Sequence, residues 1–290
     1  MLTLTNINKK YPDGTHALND VSVHLPAGMV GLLGPNGAGK SSLMRTLACL
    51  QSVDNGQVNF DGLNVLQHSE QMRKQLGYLP QQFGVYPNMS CVALLEHIAT
   101  LKGLNKKDRK QQIDELMTLL NLSSFANKKV SHFSGGMKQR FGIAQALLGS
   151  PKLIILDEPT AGLDPAERES LNNLLVTISK QRLVLLSTHI VEDIENQCHF
   201  VAMINQGQLI QSGEVAALIK PLHGCVWLLD TLPSELPQES FVLSKSYRYG
   251  KPSFRVYATT TPAESAIPAE ATLQDSYFYE LKARGCHACY

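Results

Sequence analysis

Gly34-Pro35-Asn36-Gly37-Ala38-Gly39-Lys40-Ser41 joins an apolar run, Met29 to Leu33, to a helix-forming run, Ser42 to Leu50. Its glycines let successive backbone N–H groups turn inward around an anion, because a Cβ would block the tight turn and the close approach. A helix beginning at the loop aims its positive dipole end at the same anion. Lys40 is placed to reach β- and γ-phosphates, and the Ser41 hydroxyl is a ligand for Mg²⁺. A glycine-rich turn before a helix is the plainer reading. The full spacing, the Lys-Ser pair and the strand in front of it favour a site for a nucleoside triphosphate.

Four later stretches could complete such a site. Gly77-Tyr78-Leu79-Pro80-Gln81 ends a strand in a glutamine, and Ser187-Thr188-His189 ends another in a histidine. Leu153-Ile154-Ile155-Leu156 leads into Asp157-Glu158. Asp157 is the expected Walker B carboxylate, holding Mg²⁺ directly or through water. Glu158 can accept a proton from an attacking water, and His189 can hydrogen-bond both that water and the γ-phosphate. Taken singly, the acidic pair would be a helix cap and the histidine structural. The fourth stretch, Phe133-Ser134-Gly135-Gly136-Met137-Lys138-Gln139-Arg140, puts Ser-Gly-Gly at a helix start and makes a second anion site. One γ-phosphate has no room for two such loops from the same face. The economical solution is that each of two chains offers its Ser-Gly-Gly loop to the nucleotide held by the other.

The elements that must carry these residues are legible from periodicity. Leu2-Thr3-Leu4 and Val21, Val23, Leu25 alternate as strands, and Val58-Asn59-Phe60 precedes an Asp-Gly turn. Leu153 to Leu156 and Leu183 to Leu186 read as parallel strands covered on both faces. From Ser90 to Leu148 the pattern turns helical: Ser90 caps a face of Leu94, Leu95, Ile98 and Leu101, and Ile113, Leu116, Met117 and Leu120 repeat the stripe. Asp164-Pro165-Ala166-Glu167 reads as a helix start of capping-box type. Phe200 to Ile204 and Leu209 to Gln211 flank a hairpin turn, and the first domain closes near Pro221. Beyond it Pro, Ser and Thr become frequent, with strand-like runs at Val226 to Leu229 and Phe254 to Tyr257 and a short helix near Ser276 to Ala283.

The bulk numbers exclude some classes. With 290 residues, 43% hydrophobic and 18% charged, the chain is of ordinary globular composition. A net charge of +1 calls for no nucleic acid partner. Lys102 to Arg140 holds nine Lys/Arg against three Asp/Glu, read chiefly as a solvated face. Six scattered cysteines make no disulfide framework, and Cys286 and Cys289 have no second pair to complete a zinc site, so they read as a terminal tail. No apolar run nears the roughly 20 residues of a membrane span, and the first residues lack the layout of a signal peptide.

The full motif set resembles the nucleotide-binding subunit of an ABC transporter over about residues 1 to 220. That resemblance implies an α/β fold: a P-loop NTPase core of ABC type with an antiparallel β subdomain and an inserted helical subdomain at about 84–150, plus a small C-terminal α+β appendage at 221–290. It implies ATP and Mg²⁺ as cofactors and ATP hydrolysis as the activity. By the same resemblance Tyr11 matches the aromatic that stacks on adenine. Gly34, Pro35, Asn36, Gly37, Ala38, Gly39, Lys40, Ser41 and Ser42 match the phosphate loop. Gln81 matches the residue that touches Mg²⁺ and water and senses the membrane partner. Ser134, Gly135, Gly136 and Gln139 match the signature loop, Asp164 the D-loop, Glu158 the catalytic base and His189 the switch histidine. Metal contacts fall to Ser41, Gln81 and Asp157. Phe133 departs from the usual leucine but stays apolar. Segments 81–87, 141–148 and 160–165 resemble the bacterial drug and antibiotic exporter branch. The implied partners are a second copy or a homologous ATPase subunit, and a separate transmembrane permease that meets Phe83 to Pro87 and holds the protein at the cytoplasmic membrane face. An importer ATPase, or a soluble ABC ATPase acting on ribosomes or DNA, are the alternatives. The 92 residues between Lys40 and Phe133 hold no sustained heptads of the kind some of the latter carry.

Overall fold

The computed structural model describes residues 1–285; the Cys286 and Cys289 pair lies outside them. Chain order begins β1 (Leu2–Lys10), β2 (His16–Leu25), β3 (Gly28–Leu33), α1 (Lys40–Leu47), β4 (Asn55–Phe60), β5 (Leu63–Asn64), α2 (Ser69–Lys74) and β6 (Leu76–Leu79). Three helices follow, α3 (Cys91–Leu101), α4 (Lys106–Leu119) and α5 (Gly135–Leu147). Then come β7 (Leu153–Asp157), α6 (Pro165–Ser179), β8 (Leu183–Ser187), α7 (Val191–Gln197), β9 (Phe200–Asn205), β10 (Gln208–Glu214) and α8 (Val215–Ile219). The last part holds β11 (Val226–Leu229), β12 (Phe241–Arg248), β13 (Lys251–Tyr257), β14 (Ile267–Pro268) and α9 (Leu273–Ala283).

The central sheet runs β10-β9-β3-β8-β7-β6, parallel except for β10 at its edge. Of its middle strands, β7, β8 and β9 are apolar up to their polar C-terminal ends because both faces are covered. In β7, Ile154 and Leu156 face one core with the inserted helices, while Leu153 and Ile155 face the other with α1 and the antiparallel sheet. That second sheet, β2-β1-β4-β5, is the expected antiparallel unit. β1 is longer than its alternation suggests. Asn6 takes a positive φ of 50°, and the register to β2 shifts between Leu4 and Ile7. A bulge there breaks the two-residue period, and the strand resumes beyond it.

The helical block is fastened closely to β6 at two glycines. A Cβ on Gly77 would collide with the Ala146 carbonyl of α5, and one on Gly142 would run into Leu79 and Phe83. Two caps in this block follow sequence. Ser90 Oγ accepts from Ala93 N–H at the start of α3, and Asn105 accepts from Lys107 and Asp108 N–H at the start of α4.

Residues past 221 form a third sheet, β12-β13-β11-β14, together with α9. α9 starts three residues before its sequence signal, at a capping box of Thr272 and Asp275. Its Leu273, Tyr277 and Leu281 are buried in the same core as Ile210, Val215 and Ile219 of β10 and α8.

Candidate functional site

The phosphate loop leaves β3 and enters α1 at Lys40. Gly37 and Gly39 have φ of 78° and 105°, a region costly for side-chain-bearing residues, and a Cβ on Gly39 would also strike the Ala17 carbonyl. Lys40 is 7% exposed, and its Nζ donates to the Gly34 and Pro35 carbonyls at 2.7 and 3.0 Å. Burial pushes its pKa down, while the carboxylates of Glu158 and Asp157 oppose that shift. Ser41 Oγ donates to Asp157 Oδ2 at 3.3 Å, joining the loop to the end of β7 across 116 residues of chain.

Glu158 is the centre of the second group. Its Oε2 accepts from Gln81 Nε2 at 3.0 Å, and its Oε1 lies 3.4 Å from Nδ1 of His189. Three strand ends, those of β6, β7 and β8, thus deliver their last polar residues to one point. Glu158 itself has φ 50°, in the left-handed region that costs a non-glycine residue about 1–3 kcal/mol. Its N–H donates to the Ser187 carbonyl at 2.9 Å, which helps hold that conformation. The carboxylate side chain is 14% exposed, and His189 on its open side is 59% exposed.

Tyr11 lies just beyond β1, on the α1 side of the loop. Its hydroxyl is 3.1 Å from Ser42 Oγ and donates to Gln51 Oε1 at 3.0 Å. Gln51 Nε2 in turn donates to the Ser42 carbonyl at 2.8 Å and to Thr46 Oγ1 at 3.0 Å.

Ser134, Gly135, Gly136, Gln139 and Asp164 gather in a separate place, where the starts of α5 and α6 meet. Ser134 Oγ caps α5 by accepting from Met137 N–H at 3.3 Å, and Asp164 caps α6 by accepting from Glu167 N–H at 2.8 Å. The reciprocal bond of a capping box, expected from Glu167 back to Asp164, is not formed. The Glu167 carboxylate instead lies over the Gly136 Cα, where a Cβ would collide with both its oxygens. The Gln139 side-chain oxygen is buried without a hydrogen-bond partner.

Sequence reasoning missed four residues that organise this region. Gln51 has no motif around it. Glu167 carries only a capping signal. Arg168 on α6 grips Asp193 on α7 through Nε to both carboxylate oxygens at 3.1 Å and through an Nη–Oδ1 contact of 2.6 Å, with Asn172 adding a bond of 3.2 Å. Glu195, also on α7, accepts the Leu273 N–H at the start of α9 at 3.0 Å. Such pairs join helices distant in sequence, so no local spacing announces them.

The donor set suits a hard divalent cation with a phosphate. A hydroxyl and a carboxylate face each other at Ser41 and Asp157, and oxygen ligands of this kind suit Mg²⁺. Among the described residues no group of three or more His, Cys, Asp or Glu is arranged to hold a metal by itself. A cation here would therefore share its shell with bound phosphate and water.

A family model described as ABC transporter matches residues 18–161. The chain is 35% identical over 238 residues to the Escherichia coli K12 protein named probable multidrug ABC transporter ATP-binding protein YbhF. That stretch is 81% of this chain but 41% of YbhF, so the chain spans under half the length of that relative. Against the E. coli K12 methionine import ATP-binding protein MetN it is 36% identical over 252 residues, 82% of this chain and 74% of that one. Among solved structures, the dimeric post-hydrolysis state of the ATP-binding cassette MJ0796, bound to ADP and Pi, superposes with a TM-score of 0.67 at 26% identity, covering 74% of this chain and 98% of that one.

Proposed function

The chain belongs to the family of ABC transporter ATP-binding proteins, and on that premise we propose that it is the ATP-hydrolysing subunit of a membrane exporter. The observation that carries the reading is the convergence of Gln81 and His189 on Glu158, beside the Ser41–Asp157 contact that ends the phosphate loop. Lys40 and the loop amides hold the β- and γ-phosphates, and Tyr11 supports the base. Ser41 and Asp157, with Gln81, would hold Mg²⁺, which would neutralise charge on the phosphates. Glu158 takes the proton of the attacking water, and His189 and Gln81 fix its carboxylate from either side.

The signature residues Ser134, Gly135 and Gly136, with Gln139 and Asp164, serve a second chain. Their side-chain caps stay within α5 and α6, away from the Glu158 cluster. Two copies enclose two ATP molecules, each held by one phosphate loop and one signature loop, and hydrolysis releases the pair. Among the described residues no helix is long and apolar enough to cross a membrane. The partner this reading assigns to transport is a transmembrane permease that docks at residues 83–87, on the cytoplasmic face. The printed multidrug name of YbhF supports export, and the import name of MetN supports the reverse direction for the same ATPase parts.

Phosphate release by the purified chain tests the chemistry. Glu158→Gln keeps the volume and removes the base, so turnover falls at least about 100-fold. ATP binding persists, and a two-chain species accumulates with ATP in size-exclusion chromatography. Wild-type turnover in this variant would reject Glu158 as the base. Uptake of substrate by inverted membrane vesicles carrying the co-purified permease decides direction: accumulation inside them supports export, and its absence with uptake by right-side-out vesicles supports import.

A further inference from the structure

The hydroxyl of Tyr11 is used in a way that base stacking alone does not require. A ring that only stacks can be Phe or Tyr, because stacking uses the π face and leaves the hydroxyl idle. Here the hydroxyl makes two contacts, to Ser42 Oγ at 3.1 Å and to Gln51 Oε1 at 3.0 Å. Gln51 is itself fixed, because its Nε2 spans the Ser42 carbonyl and Thr46 Oγ1. Its carboxamide therefore has one orientation consistent with all three partners: nitrogen towards α1 and oxygen towards Tyr11. Thr46 is fully buried and closes the network from below by donating to the Ser42 carbonyl at 3.0 Å.

The segment that carries Tyr11 has little else to hold it. Residues 11–15 form a turn closed by bonds between Tyr11 and Gly14 and between Tyr11 and Thr15, and the stretch from Asp13 to Thr15 is exposed. Without an anchor the ring would share that turn's freedom, and a stacking platform would have to be ordered each time a base arrived, at a cost in affinity. Gln51 lies past the end of α1, on the rigid side of the site.

We propose that Gln51 is the positioning residue for the nucleotide base: it holds Tyr11 against α1 and so pre-orders the aromatic platform beside the phosphate loop. The inference rests on the reading of residues 34–42 and Tyr11 as an ATP site. It assigns Gln51 no contact with ATP. It also gives the Tyr11 hydroxyl a function separate from that of the ring.

Two variants and two ligands test it by titration calorimetry or competition binding on the full chain. Gln51→Leu removes the tether, and Tyr11→Phe keeps the ring while removing the hydroxyl. Losing a net hydrogen bond of ordinary strength raises the Kd for ATP about fivefold in each. The double variant is no weaker than either single one, since both cut the same link. Inorganic tripolyphosphate, which has no base, binds wild type and both variants equally. The proposal is overturned if Tyr11→Phe binds ATP as wild type does, if the two losses add, or if Gln51→Leu weakens tripolyphosphate as much as ATP. The last result would place the effect in α1 rather than at the base. A wild-type chain that binds neither ligand would instead overturn the ATP-site reading on which the tether depends. Should Gln51→Leu fold poorly, the comparison of Tyr11→Phe with wild type still decides.

Discussion

At the scale of the residue, Gly136 and Lys102 show how tightly single positions are bound to their surroundings. Gly136 has no room for a side chain because the Glu167 carboxylate lies over it. Gly136→Ala therefore overpacks the junction of α5 and α6 and destabilises the chain by about 1–3 kcal/mol. Adding Glu167→Ala removes the obstacle, and urea unfolding of the double variant recovers most of that loss. Lys102 is partly buried, and its Nζ donates to the Leu148 carbonyl at the end of α5 at 2.6 Å. Burial pushes its pKa from 10.5 down to about 8. Between those values the unfolded chain holds the proton and the folded chain has released it, so stability rises with pH across this window. Measured against Lys102→Met, which cannot titrate, wild type gains on the order of 3 kcal/mol as pH goes from 7 to 10.5, at 1.36 kcal/mol per unit. A flat difference across that range would mean that the ammonium reaches water.

At the scale of the element, α6 and α7 are joined by charge. Asp193 has a side chain only 8% exposed and is satisfied by Arg168 and Asn172. Arg168→Ala leaves that carboxylate buried without its partner, a change that costs about 3–5 kcal/mol. Denaturant midpoints report it, and Arg168→Met with Asp193→Leu should cost much less. Elements also show where sequence was sufficient and where it was not. Strands β7 and β8 were legible as unbroken apolar runs because both faces are covered, and Ser90 and Asp164 were legible as caps because capping is local. β1 was cut short at Leu4 because the bulge at Asn6 breaks the alternation on which a strand is recognised. The phosphate loop, Asp157, Glu158 and His189 stood out because their chemistry is tied to fixed spacing. Gln51, Glu167 and Glu195 act through contacts with Tyr11, Gly136 and Leu273, and no pattern along the chain encodes which residue folding brings alongside.

At the scale of the whole molecule, the last helix returns to the first core. Leu273, Tyr277 and Leu281 of α9 complete the apolar cover of β10 and α8, and Glu195 of α7 holds the helix at its start. Arg255 ties α9 to β13 through paired bonds to Asp275, of 2.7 and 2.6 Å. A chain ended at residue 220 uncovers that apolar surface. At roughly 1.5–3 kcal/mol per large side chain and a few degrees per kcal/mol in a chain of this size, its thermal midpoint drops by at least about 10 °C, as scanning calorimetry would show. An unchanged midpoint would make residues 221–285 an independent appendage. The seam between β6 and α5 has a different consequence. At Gly77 the strand meets the Ala146 carbonyl of the helix backbone to backbone, and at Gly142 the side chains of Leu79 and Phe83 press directly on the helix backbone. One end of that seam leads to Gln81 and the other member begins at Ser134, so the two behave as arms of one lever on a stiff fulcrum. On the two-chain reading proposed above, a push on the segment after Gln81 would tilt the Ser134 loop with little slack, and the geometry with which one chain greets the nucleotide of another would be set from the far side of the sheet.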